Sequence, residues 1–129
     1  MFNGNLVVIY AKGGTYKSSL GVSLLNSSNK KCCYINLEGN NHLFINDNVN
    51  VINSIDNIND IINDNDIILV DYIELANMNI DDIKSLKNKI LGSDKSIILI
   101  SCCSSQKDLF NDHYNELKEV SDLIITLDK

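Results

Sequence analysis

Proline and arginine are both absent from the 129 residues. Without proline, turns must be made by Gly, Asn, Asp and Ser. Without arginine, any anion bound by this chain has to be met by lysine, a compact charge lacking the planar guanidinium fork. No apolar run approaches the ~20 residues of a membrane-spanning helix. The opening "MFNGNLVVIYAKGG" has neither a basic leader nor a small-residue cleavage site, so a soluble, cytoplasmic protein without membrane contact is expected. Cysteine is scarce and comes as two adjacent pairs, Cys32-Cys33 and Cys102-Cys103. Neighbours on a strand point to opposite faces, which suits neither a disulfide framework nor a zinc site and reads as ordinary half-buried thiols. The two histidines, His42 and His113, read as isolated side chains without a ligand role.

A chain of this length forms one domain, residues 1–129, around a single core. Its formal net charge of −6 is unevenly spread. Residues 1–37 hold four lysines and no acid, residues 38–83 hold ten acids and no lysine, and residues 84–129 hold seven of each. An acidic chain is poorly suited to nonspecific DNA binding, which rests on Lys and Arg neutralising phosphates. Charge therefore does not support DNA as a partner.

Five apolar runs, 5–11, 31–37, 66–72, 96–101 and 122–127, are rich in Ile, Val and Leu. Their near-continuous apolar character is that of parallel strands covered on both faces. Helical spacing fills the gaps at Ser18–Asn26, at a helix opened by Asp81-Asp82 with Ile83, Leu86, Ile90 and Leu91 on one side, and at Phe110–Val120. In the Asn/Asp/Ile-biased segment 40–66, "VNVI" reads as a short strand and Ser54 as the cap of a helix carrying Ile55, Ile58, Ile61 and Ile62. The expected class is α/β, three layers with a mostly parallel five-stranded sheet and a P-loop NTPase arrangement.

The chemistry concentrates in "IYAKGGTYKSSLG", residues 9–21. A strand entering a glycine turn and then a helix gathers backbone N–H groups and the positive helix end around an anion. The pattern G-x-x-x-x-G-K-[ST] is met with Ala11 at its first glycine and Tyr16 at its second. Candidate phosphate-binding residues are Gly13, Gly14, Thr15, Tyr16, Lys17, Ser18 and Ser19. Lys17 would reach the β- and γ-phosphates, and the Ser18 hydroxyl would hold Mg²⁺. Asp71 closes the third run, "IILVD", where an acid can hold Mg²⁺ at the carboxyl end of a strand. Glu38 closes the second, "YINLEG", in the position of a general base for the attacking water. A tyrosine at position 16 would cost of order 1 kcal/mol or more if its backbone needed a positive φ.

The series "YAKGGTYKSSLGVSLL", "CCYINLEG", "IILVDYIEL", "SIILIS" and "EVSDLIITLDK" resembles the RecA-like ATPase core of recombinases, replicative helicases and KaiC/RadA-type proteins over nearly the whole chain. The resemblance implies ATP and Mg²⁺ as cofactors, Glu38 and Lys17 as catalytic residues, and a role in DNA replication or recombination. It departs from the family at Ala11, at Tyr16, and at Cys102, where a polar sensor is usual. "KGGTYKS" also resembles the ParA/MinD-type loop, whose extra lysine, here Lys12, acts across a dimer. That family's second-strand aspartate is replaced by Asn36. A nucleotide-binding or interaction protein that does not hydrolyse is a third reading.

The two resemblances imply different sheets. The RecA-like one puts the strand ending at Ser101 between the loop strand and the Asp71 strand, whereas the ParA-like one makes the latter two neighbours. The absence of arginine adds that a transition-state cation must be a lysine, Lys12, Lys107 or Lys129, acting from a second copy or a protein partner.

Overall fold

The computed structural model describes residues 4–13, 16–39, 43–104 and 106–127. Gly14, Thr15, His42 and Lys129 lie outside them. The elements run β1 (Asn5–Lys12), α1 (Lys17–Asn26), β2 (Cys32–Asn36), β3 (Val49–Ile52), α2 (Ile58–Asp64), β4 (Ile67–Asp71), α3 (Ile80–Ile90), β5 (Ser96–Cys103), α4 (Asp112–Val120) and β6 (Leu123–Leu127).

All five expected strands form, and "VNVI" adds a sixth at the edge, so the sheet has six strands where five were expected. Their order is β3-β2-β4-β5-β1-β6, and every pairing is parallel. β5 lies between β1 and β4, with Tyr10 opposite Ser101 and Asp71 opposite Ile100. This is the sheet expected from the RecA-like resemblance. It does not contain the neighbouring pair of β1 and β4 that the ParA-like resemblance implies.

Because side chains alternate along a strand, each central strand feeds two cores. Leu6, Val8 and Tyr10 pack with residues of α2, α3 and α4. Val7 and Ile9 pack on the other side with Val22 and Leu25 of α1. The vicinal cysteines obey the same alternation, since Cys32 enters the α1-side core and Cys33 the opposite one. All four cysteines are free thiols, and burial pushes the Cys33 thiol up to about 11. The α1 side is the thinner layer, with an apolar groove beside Leu24, Leu123 and Ile125. Gly21 lets α1 sit close to the sheet there, since a Cβ would come 3.0 Å from both Leu69 methyls.

Helix starts differ from the sequence expectation in three places, one being α4, which begins at Asp112 and leaves Phe110 outside the helix. Ser54 accepts the Asp56 N–H in a local turn at 3.2 Å, and α2 begins only at Ile58. The third helix starts from Asn79, whose side chain accepts from Asp82 N while Asp82 returns a bond to Asn79 N, a reciprocal cap. It ends at Ile90, which leaves Leu91 70% exposed instead of on the buried face.

Gly4 sets the entry to β1 with φ +68°, and a Cβ there would lie 2.5 Å from the Ile90 carbonyl oxygen. Both the left-handed backbone and the contact oppose a side chain. Gly4→Ala is expected to lower the unfolding free energy by about 2 kcal/mol in urea titration. An unchanged midpoint would contradict this placement.

Candidate functional site

Parallel register brings the ends of β1, β5, β4 and β2 to one edge. Ala11 pairs with Cys102, and Asn36 pairs with Asp71. β1 ends at Lys12, and Tyr16 stands directly before α1. Tyr16 has φ −91° and is 76% exposed, so its side chain carries no left-handed penalty and stands in solvent. The substitution that looked damaging in the sequence is thus sterically neutral.

Among the described residues, α1 has no side-chain N-cap and no acid in its first turn, and a helix start of this kind favours an anion. Lys17 opens the helix. It is 7% exposed, and its Nζ donates to the Lys12 carbonyl at 3.1 Å. Ser18 Oγ donates to Asp71 Oδ2 at 2.6 Å. The Asp71 carboxylate is buried, 1% exposed, and a second donor, Tyr34 OH, reaches the same oxygen at 2.7 Å. Its other oxygen, Oδ1, is buried and has no hydrogen-bond partner among the described residues. Ser19 is half-buried on the next position of α1, and Gly13 is the last described residue before the turn.

An orphaned, buried carboxylate oxygen beside a serine hydroxyl fits a hard divalent cation. Mg²⁺ binds through one or two carboxylates, keeps several waters and takes the remaining ligands from substrate phosphates. Consistently, no cluster of three or more His, Cys, Asp or Glu is present among the described residues. Ser18 and Asp71 would hold such an ion next to phosphate oxygens at the α1 start.

Glu38 stands at the lip of the same edge. Asn36 Oδ1 accepts the Gly39 N–H at 2.9 Å, closing the turn that presents it, and Leu37 N donates to the Asp71 carbonyl. Partial desolvation, and then the charge of Asp71, push the Glu38 carboxyl above the ordinary range, while Lys17 pulls it down. Both influences place Glu38 near the two groups it was expected to serve.

A further cluster joins this edge that the sequence reading did not assemble. Glu74 accepts from Ser101 Oγ at 2.7 Å, from Cys102 N at 2.9 Å, and pairs with His113 Nε2 at 3.0 Å. His113 is therefore not isolated. Burial alone would raise the Glu74 carboxyl, but the bonds from His113, Cys102 and Ser101 outweigh it and hold the group below its usual range. The bond to Glu74 in turn raises His113 against an opposing effect of burial. Cys102, in the expected sensor position, has its thiol raised by burial and is drawn back by Lys17. The cluster ties β4, β5 and α4 together beside the lysine.

These shifts fix a pH dependence. The depressed Glu74 contributes stability that is present above its ordinary pKa of 4.5 and is lost as pH falls through the folded value. The raised His113 contributes stability that is full below its ordinary 6.5 and is lost as pH rises through the folded value. Both are complete between 4.5 and 6.5. The unfolding free energy of His113→Gln is expected to fall short of wild type by no more than about 1 kcal/mol, because the pair is partly exposed. That deficit should be largest inside the window and shrink on the alkaline side. A deficit that stays level well past the histidine range would refute the pairing.

No family model matches the chain, and no curated protein sequence is similar to it. Solved structures do match its fold. One, of a DNA replication initiation factor, superposes with a TM-score of 0.58 at 17% identity over 96% of this chain, which spans 40% of that protein's chain. No helix among the described residues is long and apolar enough to cross a membrane. The chain thus has a three-layer α/β/α fold on a six-stranded parallel sheet, a fold it shares with that structure.

Proposed function

We propose that the chain is a minimal RecA-like ATPase that binds ATP with Mg²⁺ and hydrolyses it slowly. The observation carrying this reading is the Ser18–Asp71 hydrogen bond at the start of α1 and beside buried Lys17, with Asp71 Oδ1 buried and without a partner among the described residues. The sheet order supports the RecA-like choice. The fold likeness to a DNA replication initiation factor supports placing the activity in DNA replication.

In this reading the N–H groups of the loop, Gly13 through Lys17, and the Lys17 ammonium bind the β- and γ-phosphates. Mg²⁺ neutralises charge developing on the transferred group when bound. Glu38 orients the attacking water and accepts its proton, a task helped by a carboxyl whose affinity for protons is raised. Tyr16, exposed at the loop, is free to lie against the nucleotide or a neighbouring molecule. With no arginine in the chain, the further cation comes from a lysine of a second copy or a protein partner. An arginine finger supplies roughly 10³–10⁵ in rate, so the single chain turns over slowly.

Calorimetric titration with ATP tests the reading. Binding is expected with Mg²⁺, and Lys17→Ala or Asp71→Ala should each weaken it by about 1.5–3 kcal/mol, since each removes a charge-assisted contact. Unchanged affinity in both variants would reject the site. Glu38→Gln should keep the affinity and lose roughly 10²–10⁴ of turnover. Wild-type turnover per chain should climb with protein concentration. Fast turnover independent of concentration would show the catalytic groups to be wrongly assigned.

A further inference from the structure

Tyr34 is fully buried on β2, in the core beneath α1. It lies two residues before Asn36, the register partner of Asp71, so its side chain emerges on the same face of the sheet as Asn36. A buried tyrosine hydroxyl needs a hydrogen-bond partner, and most find a backbone carbonyl or water. This one donates to a carboxylate, at 2.7 Å, and to the same oxygen that Ser18 uses. A carboxylate has about four acceptor positions. Two short bonds on Oδ2 restrict its rotation, and Oδ1 is buried with no hydrogen-bond partner among the described residues.

That asymmetry has a use. Ser18 serves both Asp71 and, in the nucleotide-bound site, the cation, so its hold on the carboxylate is shared. Tyr34, held in the core on the neighbouring strand, keeps the carboxylate turned. Resting on the nucleotide reading above, we propose that Tyr34 is a positioning residue that presets Asp71 Oδ1 for the divalent cation.

Its removal should therefore alter the Mg²⁺ dependence of nucleotide binding and leave the Mg²⁺-free component alone. Tyr34→Phe keeps the ring in the core and deletes only the donor. ATP titrations of the full chain, over a range of Mg²⁺ and in excess chelator, give both components. Losing a partner of a metal ligand typically costs roughly ten- to a hundredfold in metal affinity, so the Mg²⁺ midpoint should rise by at least about tenfold while chelator-state affinity stays within about twofold.

A cycle with Asp71→Asn separates positioning from packing. If Tyr34 acts through the carboxylate, adding Tyr34→Phe to Asp71→Asn shifts the midpoint no further; independent effects would add. An unmoved midpoint, equal loss with and without Mg²⁺, or additivity in the cycle would each overturn the proposal. Should Tyr34→Phe not fold, Tyr34→Leu, which also deletes the donor and stays apolar, enters the same cycle with the same three overturning results. A wild-type chain with no affinity for ATP at any Mg²⁺ concentration would instead sink the nucleotide reading, and this inference with it.

Discussion

A carboxylate sealed at the edge of a parallel sheet is the constraint around which this molecule is arranged. Removing an ionised group from water is costly unless donors or a cation meet it. Asp71 is met by two hydroxyls, one from the neighbouring strand and one from the helix that follows the loop. Those contacts require β2 beside β4 and require the start of α1 to lie over the end of β4. The first follows from the sheet order and the second from the close approach at Gly21. Local chain direction, helix packing and the electrostatics of the site are thus consequences of a single buried charge.

The same edge is built from two networks with opposite characters. Around Asp71 one acceptor remains unmet, which is the condition of a group waiting for a ligand. Around Glu74 the carboxylate is well supplied, by a hydroxyl, a backbone N–H and an imidazole. The first is suited to binding and the second to holding strands and α4 in place. Cys102 touches both, through its N–H to Glu74 and its thiol near Lys17.

The strands were legible in the sequence because strands buried on both faces read as unbroken apolar runs. That Lys17, Ser18, Asp71 and Glu38 share one edge was legible because each ends or follows such a run, and in a parallel sheet those ends lie together. Helix starts in the Asn/Asp/Ser-rich stretches were harder, since several residues there can cap and only packing decides which does. Tyr34, Glu74 and His113 were out of reach for another reason. Their partners are 27 to 39 positions away in the chain, and the pairings exist only once register is known. With the register of β2 on β4 in hand, Tyr34 could have been placed on the face of Asn36 and so near Asp71. The Asn79/Asp82 spacing of the reciprocal cap was, by contrast, a signal visible in the sequence.

α1 carries two duties that most helices divide. Its first turn faces the proposed anion site, and its flank, through Val22 and Leu25, is the main helical cover of one whole side of the sheet among the described residues. Substitutions on that flank are therefore not free to drift as ordinary core changes do. A repacking that tilts the helix by a fraction of an ångström leaves the fold intact and misaims the loop, so selection on the ligand is also selection on apolar residues that never touch it.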